Sequence, residues 1–95
     1  MITLVATIKV KKGKMDEAVK ALKEIVPKIK EAEPGCLVYI PHTVRGEDHT
    51  IIFYEKYRDK EALKMHSGNV SKSLEKLLPL LEPGMDVKTC YEIVE

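Results

Sequence analysis

Three histidines, His42, His49 and His66, are the side chains here best suited to exchange a proton near neutral pH. His42 and His49 flank a predicted hairpin. With its turn centred on Gly46-Glu47, His42 faces Ile51 and His49 faces Val44, so the two are no ligand pair and read as solvated strand ends. His66 differs. It follows Ala62 by four residues on a helical stripe, so it leans between helix and sheet, either as a hydrogen-bonded core residue or as a proton shuttle. Glu55 is an acid inside an otherwise apolar strand, sharing a face with Phe53 and Tyr57. A carboxylate there must reach a donor, pair with His or Lys, or face a cavity. Tyr39 adds an aromatic edge with a hydroxyl, and Asn69 an amide at a helix start. His66, Glu55 and Tyr57 are thus the candidate catalytic groups, and Tyr39, Asn69 and Phe53 the candidate substrate-binding ones. Together they sketch an apolar pocket with few polar groups, suited to a small, flat organic ligand.

Other chemistries lack their residues. The two cysteines, Cys36 and Cys90, form no C-x₂-C pair and no His pair has ligand spacing, so no metal is expected. No Gly-rich phosphate loop, flavin or nicotinamide fingerprint, or Ser-His-Asp set is present, so no cofactor is expected. Sixteen basic and fifteen acidic residues give a net charge of +1, which argues against nucleic-acid partners or an anionic membrane surface. Apolar runs reach only four or five residues, too short to span a bilayer. No basic segment precedes an apolar stretch at the N-terminus, so the expected location is cytoplasmic. Fourteen of the sixteen cations are Lys, Gln is absent and Asn69 is the only Asn, a thermophile-like composition.

The elements that must position these groups follow from periodicity. Residues 2–10 alternate, with Ile2, Leu4, Ala6, Ile8 and Val10 on one face and Thr3, Val5, Thr7 and Lys9 on the other. From Met15 the period turns helical through Ala18, Leu22, Ile25 and Ile29, with Pro27 as an expected kink and Glu33-Pro34-Gly35 as the stop. Cys36–Val44 reads as a strand that Pro41 confines to an edge, Arg45-Gly46-Glu47-Asp48 as a turn, and His49–Arg58 as a third strand. Asp59 caps a short helix through His66 that Gly68 closes; Asn69 caps another, striped by Val70, Leu74, Leu77, Leu78 and Leu81. Met85–Val94 reads as the last strand. The order β-α-β-β-α-β over residues 1–95 predicts one α+β domain, a ferredoxin-like four-stranded antiparallel sheet in the order 4-1-3-2, with helices on a single face. The other face, half apolar at Thr3, Val5 and Thr7, then calls for a second copy, so a homodimer is expected.

Three blocks occur in order: Glu33-Pro34-Gly35-Cys36-Leu37-Val38-Tyr39, then Phe53-Tyr54-Glu55-Lys56-Tyr57-Arg58-Asp59, then Glu61-Ala62-Leu63-Lys64-Met65-His66. The chain thereby resembles the antibiotic biosynthesis monooxygenase family, whose pattern runs EPGCxxY, YExW or YExY, and ALxxH. The resemblance implies a dimeric α+β barrel of ferredoxin-like subunits. It also implies a place among cofactor-independent quinol monooxygenases, haem-degrading enzymes, or a branch processing phosphorylated autoinducer-2, to which the YExY variant is similar. His66, Glu55, Tyr57 and Tyr39 fall on the family motifs. Ser71 stands where many relatives carry a second His, and the absence of Trp disfavours haem degradation. The leading expectation is a cofactor-free monooxygenase of a small phenolic or quinol-like substrate. Its rivals are an isomerase acting on a small carbonyl compound and a non-catalytic dimeric ligand-binding module, in which Glu55 and His66 only satisfy one another.

Overall fold

Strict alternation over Ile2–Val10 forms strand β1, whose even-numbered side chains are all buried. A computed structural model describes residues 1–94. After β1 come helix α1 (Met15–Ala32), strands β2 (Cys36–Val44) and β3 (Glu47–Tyr57), helix α2 (Lys60–Ser73), a single 3₁₀ turn at Leu78–Leu80 and strand β4 (Leu81–Tyr91). The strands form one antiparallel sheet in the order β2-β3-β1-β4, the expected ferredoxin-like arrangement. Pro41 does lie on an edge strand, and Cys36 and Cys90, on opposite edges, are both free.

The register sets the inward row: Leu4 opposite Glu55, Ala6 opposite Phe53, Ile8 opposite Ile51. Against that row α1 packs Ala18, Leu22, Ile25 and Ile29, one turn apart along its apolar stripe. Asp16 and Glu17 occupy its first turn, where the helix dipole favours acids. Pro27 lies inside α1 without ending it.

Three boundaries differ from the sequence reading. The hairpin turn contracts to Arg45-Gly46, with Gly46 at φ 80°, and β3 begins at Glu47. Glycine takes that left-handed conformation without a Cβ clash, so two residues suffice to reverse the chain. A register irregularity between Thr43 and Val44 then places His42 opposite Ile52 rather than Ile51; His42 and His49 are exposed.

The second helix is one element, not two. Asp59 accepts a hydrogen bond from the Ala62 N–H, as expected of a cap. Gly68 does not close the helix and Asn69 does not cap another: both lie within α2. Ala62, His66, Val70 and Leu74 are spaced by four, one unbroken stripe, and packing along it outweighs the roughly 1 kcal/mol that Gly costs a helix interior.

Nor does a helix reach Leu81. The chain leaves α2 after Ser73 and passes through the 3₁₀ turn, where Pro79, lacking an N–H and crowding the preceding turn, disfavours a continued α-helix. Leu77 plugs the core there, and Leu81 pairs with Val10 as the first residue of β4, four residues earlier than the expected start at Met85.

Both helices lie on one side of the sheet. The other side carries Val5 opposite Tyr54 and Thr7 opposite Ile52, with Ile40 and Tyr54 exposed.

Candidate active site

Proline ends α1 just after an acid that points inward. Pro34 disfavours helical backbone at the residue before it, and Glu33 leaves the helical basin at φ −124°, ψ 83°. Its N–H still bonds the Ile29 carbonyl, and its own carbonyl accepts from the Cys36 N–H. The Glu33 side chain is buried, one turn beyond Ile29 on the buried stripe of α1, while residues 30–32 between them are exposed.

Gly35 follows, and the first turn of α2 rests directly on it. A Cβ built at Gly35 would collide with the Ala62 Cβ. Glycine is required here by close approach, not by backbone conformation. With Ala62 seated on Gly35, one further helical turn brings His66 over the sheet and within reach of Glu33.

His66 is 4% exposed. Its Nδ1 lies 3.0 Å from Oε1 of Glu33, and its Nε2 lies 3.7 Å from Oε1 of Glu55. The first distance is a hydrogen bond and the second is not. A carboxylate accepts and does not donate, so in this pairing Nδ1 carries the ring proton and Nε2 is the basic nitrogen of the neutral ring. The Tyr57 hydroxyl donates to the same Glu55 oxygen at 2.6 Å. The Tyr57 and Tyr39 rings stack obliquely on the imidazole, with centroids 5.2 and 5.4 Å away, and Phe53 lies 5.6 Å beyond Tyr39.

Burial governs the electrostatics. Desolvation raises the Glu55 pKa above the ordinary carboxylate range; the Tyr57 hydrogen bond and His66 oppose the shift, and Glu33 adds to it. Tyr39 and Tyr57 are pushed well above an ordinary phenol, first by burial and then, for Tyr57, by the bond it donates to Glu55. The Cys36 thiol is pushed up to about 11 by burial and by the Glu33 charge, which makes it a poor nucleophile.

A cavity of about 160 Å³ opens over this cluster between α2 and β4. Glu55, His66 and Ser67 are its polar lining; Leu4, Ala6, Phe53, Val70, Leu74, Met85 and Val87 supply apolar walls. Of the residues singled out from sequence, His66, Glu55, Tyr39 and Phe53 line it. Tyr57 lies outside the lining and acts on it through Glu55. Asn69 is exposed on α2 and does not join the lining. Glu33 is the participant that sequence reasoning missed. Its signal was present in the spacing, because Glu33 follows Ile29 by four residues and so continues the buried stripe of α1. Among the described residues no group of three His, Cys, Asp or Glu side chains is arranged to hold a metal ion.

Comparison with known proteins agrees with this fold. The family model described as "Antibiotic biosynthesis monooxygenase" matches residues 1–71. An uncharacterised protein of Synechocystis is 31% identical over 96 residues, covering 99% of this chain; the chain spans 64% of that relative's length. The crystal structure of a candidate antibiotic biosynthesis monooxygenase from Caulobacter crescentus superposes with a TM-score of 0.88 at 28% identity, covering 98% of this chain and 90% of the other. A Pseudomonas aeruginosa structure gives 0.77 at 27% identity, covering 98% and 94%.

Proposed function

This chain belongs to the antibiotic biosynthesis monooxygenase family, and we propose that it works as a cofactor-independent monooxygenase of a small phenolic or quinol-like substrate. One observation carries the reading: Nε2 of a buried, carboxylate-oriented imidazole borders an apolar cavity without a hydrogen bond to Glu55. A module in which His66 and Glu55 merely satisfied one another would close that gap.

The chemistry follows from the groups present. His66 Nε2 takes the proton of a ring hydroxyl, as Glu33 holds the ring in the required tautomer and stabilises the imidazolium that forms. The electron-rich phenolate then reduces dioxygen. For a quinol, one oxygen atom enters a ring C–H as a hydroxyl and the other leaves as water. The quinol loses four electrons to become a hydroxyquinone, with no external reductant. Apolar walls exclude the water that would stabilise the phenolate and quench intermediates. His66 is the catalytic residue; Glu33 is a positioning residue, and Tyr57 orients Glu55, which faces the substrate. A homodimer joined through the open sheet face belongs to the same reading, and light scattering that finds a 10.8 kDa particle at micromolar concentration counts against it.

Oxygen uptake with a panel of quinols tests the proposal. His66→Ala is expected to lower the rate by roughly a hundredfold or more, the scale of a positioned acid–base group. Glu33→Gln, which can offer the ring an N–H instead of an acceptor, should lower kcat more than it changes KM. Absence of oxygen uptake with every quinol, alongside intact binding, would favour the ligand-binding alternative.

A further inference from the structure

A second depression, of about 450 Å³, lies between α1 and β2 and shares only Tyr39 with the cavity over His66. Its wall on α1 is Val19, Lys23, Val26 and Lys30, so apolar and basic side chains alternate along one helical stripe. Ile40, Pro41 and His42 of β2 stand opposite. Leu22 and Ile51 are buried in its floor, Val19, Val26 and Pro41 are half-buried, and Lys23, Lys30 and His42 are exposed.

The charge of this groove departs from that of the surface around it. The chain has sixteen bases and fifteen acids, and three other depressions mix the two signs. Glu24 and Glu75 meet Lys28 and Lys72 in one, Glu17 meets Lys20 in another, and Glu82 meets Lys11 in the third. Among the described residues no Asp or Glu lines the α1–β2 groove, and neither Lys23 nor Lys30 stands in an ion pair. Recessed apolar surface with cations of one sign at its rim is complementary to an apolar chain that ends in an anion.

From this we infer that the groove binds a free amphiphilic carboxylate of the medium-chain fatty-acid kind. The chain lies against Val19, Val26 and Pro41 and removes their half-exposed surface from water. The carboxylate takes charge-assisted hydrogen bonds from Lys23 and Lys30, whose methylene stems lie along the same apolar surface. Anionic bilayers recruit clusters of roughly four to eight bases, whereas two lysines around a recess suit a single head group.

Calorimetric titration with decanoate below its micelle concentration, decyltrimethylammonium and acetate tests chain and charge separately, and no readout depends on turnover. Decanoate should bind roughly tenfold more tightly than the cationic chain, the scale of two exposed ion pairs together, and acetate should give no detectable heat. Lys23→Glu/Lys30→Glu should erase or reverse the preference. Lys20→Glu/Lys28→Glu, an equal change of charge outside the groove, should keep it. Decanoate should move the methyl NMR signals of Val19, Leu22, Val26 and Ile40. Shifts confined to Val5 and Ile52 on the open sheet face, or to Val70 and Val87 at the other cavity, overturn the proposal. Equal binding of the two chains, no binding of decanoate, or an unchanged preference in the Lys23/Lys30 variant overturns it too. Binding to anionic phospholipid vesicles without binding to free decanoate assigns the lysines to a membrane surface instead and equally defeats it.

Discussion

The inward faces of β3 and β4 have similar patterns and opposite fates. On β3, Ile51, Phe53, Glu55 and Tyr57 are all buried. On β4, Met85, Val87 and Tyr91, in the row that continues Ile8, Ala6 and Ile2 across the sheet, are 45%, 48% and 68% exposed. The helices pack toward the opposite edge of the sheet, α1 against β2 and α2 against β2 and β3. The cover fails at β4. The candidate site lies on this seam, with Phe53 and Glu55 on its closed side and Met85 and Val87 on its open side. A pocket needs walls that are rigid and a mouth that is not packed, and the boundary of the helical layer supplies both.

The contrast can be broken directly by truncating matched residues. Phe53→Ala should cost about 3–5 kcal/mol in urea unfolding, the range for deleting a fully buried aromatic side chain. Val87→Ala, in the same sheet face but half exposed, should cost less than about 0.5 kcal/mol. Similar costs at the two positions would mean that something covers β4 in solution.

A smaller effect is expected where the closed side is tightest. Gly35→Ala drives a methyl group against Ala62, so unfolding stability should fall by about 1–3 kcal/mol as α2 is forced from the sheet. The same variant should alter the imidazole NMR resonances of His66, because α2 carries that ring to Glu33. Unchanged resonances would show that the helix absorbs the methyl group elsewhere.

The smallest effect is a pH dependence confined to the closed side. The Cys36 thiol is raised from 9.0 to about 11 in the folded protein, so between those values the unfolded chain releases a proton that the native state retains. Stability therefore falls as pH rises through that window, by at most about 2.7 kcal/mol for a two-unit shift of this one group, and by less where solvent screens it. Cys36→Ala should flatten that part of the pH–stability curve relative to the native chain. A difference curve with no slope from pH 9 to 11 would refute the assignment.

The strands and first helix were legible because their apolar periods are local properties. Alternation in Ile2–Val10 and the one-turn stripe of Met15–Ala32 each name a buried face without reference to the rest of the chain. The second half was harder. Gly68 and Asn69 carry strong local signals for a break, yet the stripe of Ala62, His66, Val70 and Leu74 crosses them because packing against the sheet decides. The apolar stripe to Leu81 misleads in the other direction, because Pro79 interrupts it and Leu81 pairs with Val10 of β1.

At the site, His66, Glu55 and Tyr57 announced themselves as polar groups on apolar faces. Glu33 was harder to read, because it stands at the end of the α1 stripe beside a proline and its partner, His66, lies 33 residues further along the chain. Asn69 was assigned on its expected place at a helix start and lost that place when the two helices proved to be one.

The two free thiols also make the protein its own probe. Cys90 pairs with Thr3, so it looks out from the sheet face that no helix covers, and it is only partly shielded. Cys36, buried and poorly ionised, should stay silent toward thiol reagents while the fold is intact. A maleimide or disulfide reagent would therefore read a single position on the open face of the native protein. Its rate, followed against protein concentration, reports occlusion of that face without any engineered label.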